Sequence, residues 1–97
     1  MGPMSNIKPR DVTGLLEKLS RAGYEIRRHC CDHYIGDGER LICAFAIYPC
    51  WGEIRIYDLT EGNLPKKVTK IFKEFADSHS LKLIIKGVRR SFGILRC

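Results

Sequence analysis

The sequence predicts an α+β domain in which two helices cover one face of an antiparallel sheet. Two segments carry apolar residues at helical spacing, several others alternate between apolar and polar residues, and turn-forming glycines and prolines separate them. The expected order of elements is α-β-β-β-α-β-β. Residues 1–97 suit a single small domain with one hydrophobic core. Met4 is expected to be the natural first residue, with residues 1–3 as an added segment.

The first helix is predicted from Pro9 to Ala22. Proline suits the first turn of a helix, and Gly23 suits the position after its end. The apolar stripe of this helix has the spacing i, i+3, i+4, i+7 and consists of Val12, Leu15, Leu16 and Leu19.

Three antiparallel strands are expected after this helix, because the period of the apolar residues changes to two at Tyr24. The first strand starts there, and residues 36–38 form a turn signal after it. The apolar segment 41–48 is the predicted central strand, and residues 53–57 alternate again as the third strand.

The second helix is predicted to have Pro65 in its first turn. Its apolar stripe consists of Val68, Ile71, Phe72 and Phe75. On the opposite side, Lys66, Lys70 and Lys73 lie within about 60° of one another at 100° per residue, and this stripe is expected to face solvent. Residues 81–86 and 91–96 resemble two more strands, with Arg89 and Arg90 at the tip of the hairpin between them.

The charge distribution favours a polyanionic partner. The net charge is +6, and residues 41–97 carry ten Lys and Arg against five Asp and Glu, whereas residues 1–40 carry seven against six. Nucleic acid fits this balance better than a membrane surface. No apolar segment reaches the roughly 18 to 20 residues that cross a bilayer, so a cytoplasmic protein is expected.

The densest group of chemically active side chains is the segment Arg27-Arg28-His29-Cys30-Cys31-Asp32-His33-Tyr34. It can be interpreted as a metal site, a reactive thiol, a general base beside phosphate-binding arginines, or a polar strand edge. Zinc is disfavoured because adjacent cysteines point to opposite faces of a strand, and no metal or cofactor is expected. A cysteine nucleophile lacks an identifiable oxyanion hole. Cys43, in the central strand, is expected to be a buried thiol.

His33 is the candidate catalytic residue, because an imidazole that titrates near neutrality can take or return a 2′-OH proton of RNA. Its surroundings resemble the HicA-type toxins, on the segments Leu15-Leu16-Glu17-Lys18-Leu19, Gly23-Tyr24-Glu25-Ile26-Arg27-Arg28, His33-Tyr34, Gly62-Asn63-Leu64 and Lys70-Ile71-Phe72-Lys73. The resemblance covers residues 11–79. It implies a fold like that of double-stranded-RNA-binding domains, mRNA cleavage through His33, and an antitoxin as partner. Asp32 departs from the family pattern and is expected to raise the pKa of the imidazole.

The start of the second helix has a resemblance of its own. Pro65-Lys66-Lys67-Val68-Thr69-Lys70 is similar to the Lys-Lys-x-x-Lys motif of double-stranded-RNA-binding domains. That resemblance implies recognition of the RNA backbone without catalysis.

The leading hypothesis is therefore a small basic nucleic-acid-binding protein, with RNA favoured over DNA. Its predicted phosphate contacts are Lys66, Lys67, Lys70 and Lys73, with support from Arg27, Arg28, Arg89 and Arg90. Trp51, at a turn beside Tyr48 and Tyr57, is interpreted as a base-stacking residue, an anchor for a protein partner, or a cap on the core.

Two alternatives stay open. The first is a HicA-like endoribonuclease toxin that uses His33. The second is a protein-interaction inhibitor or adaptor encoded by a mobile element or phage, in which the open face of the sheet and Trp51 dock a protein.

Overall fold

A computed structural model describes residues 7–29 and 32–87 of the chain. The two helices and five strands in this part confirm an α+β fold. In chain order they are α1 Pro9–Arg21, β1 Glu25–His29, β2 Asp32–Gly36, β3 Leu41–Tyr48, a 3-10 turn Pro49–Trp51, β4 Glu53–Asp58, α2 Lys66–Ser78 and β5 Lys82–Gly87. Neither helix is long and apolar enough to cross a membrane, as far as the described residues go.

The strands form one sheet in the order β1-β2-β3-β4-β5. Each pair from β1 to β4 is antiparallel, whereas β4 and β5 are parallel. The expectation of a purely antiparallel sheet is therefore wrong. The reason is the position of α2, which connects β4 to β5 and returns the chain to the same end of the sheet, as parallel neighbours require.

The prediction of three strands between the helices is also wrong, because the structure has four. The segment read as one strand from Tyr24 is a hairpin in which Ile26 pairs with Ile35 and His29 pairs with Asp32. The order of the described elements is thus α-β-β-β-β-α-β. The predicted last strand at residues 91–96, and the hairpin tip before it, lie outside the described residues.

The first helix forms close to its predicted bounds. The backbone N–H of Lys8 donates a hydrogen bond of 2.9 Å to the Asp11 carboxylate. The negative charge of this carboxylate also interacts favourably with the positive end of the helix dipole. The chain leaves the helix through Gly23, whose φ of +101° is open to glycine at little cost.

The core lies between the two helices and one face of the sheet. Alternate strand positions face the helices, so the core takes its sheet residues at intervals of two. Its fully buried side chains include Leu19, Ile35, Cys43, Phe45, Ile54, Ile56, Val68 and Phe72. Phe45 of β3 meets Phe72 of α2 edge to face, with ring centroids 5.0 Å apart. This contact holds α2 against the sheet, and the prediction that both helices cover one face is confirmed.

The connection from β4 to α2 is organised by Asp58, a buried carboxylate. It accepts hydrogen bonds from the N–H groups of Thr60 at 2.7 Å and Gly62 at 3.1 Å, and from the Thr60 hydroxyl. The Thr60 hydroxyl oxygen in turn accepts a bond of 2.9 Å from the Asn63 N–H. These bonds pair the polar groups of residues 60–63, so Asp58 orders the connection that leads to the first turn of α2.

The second face of the sheet has no helix over it in the described part of the chain. Tyr34, Ala44, Tyr57 and Lys86 follow one another across it on neighbouring strands. Ala44 is buried even here, because larger side chains flank a small one. This surface is called the open face below.

Candidate functional site

The predicted site residues divide between two sides of the molecule. The apolar stripe of α2 packs on the sheet, so the lysines of this helix point away from it. Trp51 belongs to the opposite side, where its partners Tyr48 and Arg55 lie on the open face. The structure therefore separates the lysines from Trp51.

Four exposed lysines of α2, named here the lysine face, are Lys66, Lys67, Lys70 and Lys73. Their exposure confirms the prediction that the stripe faces solvent. Lys73 lies 3.7 Å from Asp77, and both side chains are about two-thirds exposed, at 67% and 68%. Such an exposed pair contributes little to stability. Within the described residues the other three lysines form no ion pair.

The beginning of α2 is unusual in its electrostatics. Its N-cap is Pro65, which makes no capping hydrogen bond with a side chain, and its first turn contains no acidic residue. Lys66 and Lys67 instead add positive charge at the positive end of the helix dipole. Like charges therefore accumulate where a helix normally carries an anion.

His33 lies on the helix-covered side of β2. Its imidazole stacks on the buried ring of Phe45, with centroids 5.0 Å apart and an angle of 16° between the rings. Arg28 sits directly across from it on β1 and therefore shares its side of the sheet. His33 is consequently a partly buried residue packed on the core, with one charged neighbour from the adjacent strand.

The pKa of His33 is lowered from its ordinary value of 6.5. Burial is the largest cause, and the positive charge of Arg28 is the second. Asp32 acts in the opposite direction, but it is the smallest of the three effects and points to the other side of the strand. Asp32 does raise the pKa of the imidazole, as expected, but burial and Arg28 outweigh it, so the net shift is downward.

The predicted supporting arginines do not form one group. Arg27 and Arg28 are neighbours on a strand, so Arg28 shares the side of His33 while Arg27 lies across from Tyr34 on the open face. Arg89 and Arg90 lie outside the described residues. Only Arg28 is therefore placed beside the candidate catalytic residue.

Trp51 stands at the turn between β3 and β4 and is 63% exposed. Its ring stacks on Tyr48 with centroids 5.4 Å apart and an angle of 19°. The Arg55 guanidinium lies 4.7 Å from the centroid of the Tyr48 ring and 5.1 Å from that of Trp51. The interpretation of Trp51 as a cap on the core does not fit this exposure.

Tyr48 and Arg55 were not selected from the sequence as site residues. The signal for Arg55 was present, because it alternates with Ile54 and Ile56 and must leave the core side of β4. Burial, then the nearby Tyr57 hydroxyl, raises the pKa of Tyr48. Glu53 holds Arg55 through two contacts of 3.0 Å to its guanidinium.

The two cysteines that the structure describes differ in their surroundings. Burial raises the pKa of the Cys43 thiol to about 12, so it stays protonated near neutrality, and its predicted burial is confirmed. Cys50 is exposed. Over residues 7–29 and 32–87, no three His, Cys, Asp or Glu side chains are grouped to hold a metal ion.

No family model, curated protein or solved structure matched the chain. The resemblances to HicA-type toxins and to double-stranded-RNA-binding domains therefore stay predictions.

Proposed function

We propose that the protein is a small nucleic-acid-binding protein that contacts phosphate groups through the lysine face. The observation that carries this proposal is that Lys66, Lys67 and Lys70 form no ion pair with any described residue, while the positive end of α2 has no side-chain cap. An isolated helix is stabilised by acidic residues in this position and destabilised by basic ones. A phosphate group relieves that repulsion and accepts hydrogen bonds from the lysine ammonium groups.

RNA is the favoured nucleic acid. The spacing of Lys66, Lys67 and Lys70 is similar to the phosphate-contacting motif of double-stranded-RNA-binding domains, and all three side chains are exposed. A duplex backbone fits contacts made by several lysines from one helix, because its phosphates are regularly spaced and carry no sequence information. Recognition is thus expected to be largely independent of sequence.

The direct test compares two double variants for binding to a labelled RNA duplex. Lys66→Glu/Lys67→Glu alters the start of α2, and Lys8→Glu/Arg10→Glu alters the start of α1 by the same change in charge. All four side chains are exposed. We expect the α2 variant to bind about tenfold or more weakly, and the α1 variant to bind much as the wild type does.

If both variants bound the RNA duplex equally weakly, overall charge rather than the lysine face would determine binding, and the proposal would be contradicted. A tight protein complex that survives nuclease and both variants would favour the protein-interaction hypothesis instead.

Ribonuclease activity is the second candidate function, and the pairing of Arg28 with His33 favours it. A neutral imidazole can accept a 2′-OH proton, and the neighbouring guanidinium can bind the phosphate. The test compares RNA cleavage by the wild type and by His33→Phe, which keeps an aromatic ring on Phe45 but has no titrating group. Cleavage lost in a folded His33→Phe protein would support catalysis. Undiminished cleavage, or none in the wild type, would remove this candidate.

A further inference from the structure

The Tyr48, Trp51 and Arg55 side chains, named here the Trp51 cluster, are in mutual contact on the open face. Trp51 stacks on Tyr48, and the Arg55 guanidinium lies within 4.7 and 5.1 Å of the two ring centroids. Trp51 is the most exposed large apolar side chain in the described residues, at 63% against 42% for Leu41 and 44% for Ile85. A large flat surface is therefore presented to solvent.

The cluster is held in place by its surroundings. The turn that carries Trp51 is closed by a 3.1 Å bond from the Gly52 N–H to the Pro49 carbonyl. The Gly52 carbonyl then accepts a 2.7 Å bond from the Lys82 N–H, which ties the turn to the neighbouring strand β5. On the strand side, Glu53 fixes the Arg55 guanidinium. The backbone of the turn and the Arg55 side chain are thus held in place before a ligand binds, which lowers the entropy that binding costs.

The charge around the cluster is positive. Lys82 pairs with Glu53 and Lys86 pairs with Tyr57 across β4 and β5, so both lysines lie on the open face, Lys82 at the end near the cluster and Lys86 four residues further along. Both are exposed. Near the cluster on the open face, Arg55, Lys82 and Lys86 outnumber the two acidic residues, Glu53 and Asp32, the second of which acts on Tyr48. A ligand that combines a flat ring with negative charge matches both features.

We infer that the Trp51 cluster binds unpaired nucleotides of single-stranded RNA, with a base stacked on Trp51 and the adjacent phosphates beside Lys82 and Lys86. Aromatic and basic side chains on one surface are the usual means of binding single strands without sequence preference. The choice of a nucleotide over other flat anions rests on the proposed function. The site itself is separate from the lysine face, because the two lie on opposite sides of the sheet.

Trp51 is the only tryptophan in the chain, so its fluorescence reports on this cluster alone. The probe is single-stranded tetra-adenylate RNA, titrated into the wild type and into Lys66→Glu/Lys67→Glu. We expect saturable quenching with a similar midpoint in both proteins. If the fluorescence anisotropy of labelled tetra-adenylate showed binding while Trp51 emission stayed unchanged, the inference would be overturned. Quenching that disappears in the lysine variant would overturn the separation of the two sites.

A second measurement uses Trp51→Leu and Trp51→Phe in the Lys66→Glu/Lys67→Glu background, with labelled tetra-adenylate. We expect Trp51→Leu to weaken binding by about 5- to 150-fold, the range for loss of one stacked base, and Trp51→Phe to weaken it less. Equal affinity of Trp51→Leu and its background would overturn the inference. Failure of the proposed function has a different signature, since duplex binding would then be insensitive to Lys66→Glu/Lys67→Glu.

Discussion

His33 and Phe45 lie face to face across adjacent strands, with ring centroids 5.0 Å apart and the rings 16° from parallel. Phe45 is fully buried and touches Phe72 of α2, so the imidazole rests on the ring that joins the sheet to the second helix. This relationship makes His33 part of the packing of the domain, whatever further role it has.

The stack predicts that His33→Ala lowers the free energy of unfolding by about 1 kcal/mol, since aromatic pairs contribute about 0.5 to 1.5 kcal/mol beyond burial. His33→Phe keeps a ring in place and should preserve most of that stability. Urea denaturation of the three proteins measures the difference. If the alanine and phenylalanine variants proved equally stable, the ring contact would have no energetic role.

The lowered pKa of His33 predicts a dependence of stability on pH. The unfolded chain takes up a proton at this residue near pH 6.5, whereas the folded chain does so only at lower pH. Stability is therefore fully present above about pH 6.5 and is lost as the pH falls through the folded pKa. The fall in unfolding free energy between pH 7.5 and 5 should be smaller in His33→Phe than in the wild type. A larger fall in the variant would contradict the direction of the shift.

The buried carboxylate of Asp58 predicts a strong effect from a loop residue. Asp58→Ala leaves the Thr60 and Gly62 N–H groups without their acceptor, and we expect a loss of about 2 to 4 kcal/mol in unfolding free energy. Asp37 provides the matched control, because its carboxylate also accepts two backbone bonds but lies in an exposed turn. Asp37→Ala should lower the free energy of unfolding much less. Comparable losses at both sites would show that burial of the Asp58 carboxylate makes no difference to stability.

The contact of Phe72 with Phe45 predicts a large effect of core truncation. Phe72→Ala should lower the unfolding free energy by about 3 to 5 kcal/mol, because it leaves a cavity under α2. Trp51→Ala removes a larger side chain but an exposed one, so its loss should be below about 1 kcal/mol. Chemical denaturation of both variants gives the comparison. A strongly destabilised Trp51→Ala protein would show that Trp51 supports the core after all.

The helices were predictable because each stripe of apolar residues repeats with the helical period over about two turns. The hairpin between β1 and β2 was not recognised, since positions 30 and 31 are cysteines and carry no turn signal. The spacing of two isoleucines nevertheless indicates the hairpin. Ile26 and Ile35 are nine positions apart and would face opposite sides of one continuous strand, whereas a two-residue connection places both on the core side.

The site was predictable only in part, for a similar reason. The lysine face followed from the helical period, because burial of one side of α2 exposes the other. The helix between β4 and β5 is typical of a parallel pair of strands, so the predicted purely antiparallel sheet did not use this signal. Strand register decides which side of the sheet His33 occupies and how closely Arg55 approaches Trp51. The register cannot be read from the sequence unless the hairpin of β1 and β2 is recognised first.

The central claim is that the lysine face binds phosphates, and the salt dependence of RNA binding tests it most directly. The slope of log K against log salt concentration reports the number of phosphates contacted, at about 0.9 per phosphate on B-form DNA and about 0.7 on single strands. With an RNA duplex, Lys66→Glu/Lys67→Glu should reduce the magnitude of the wild-type slope by about 1.5 to 2, while Lys8→Glu/Arg10→Glu leaves it unchanged. An unchanged slope in the α2 variant would contradict the account.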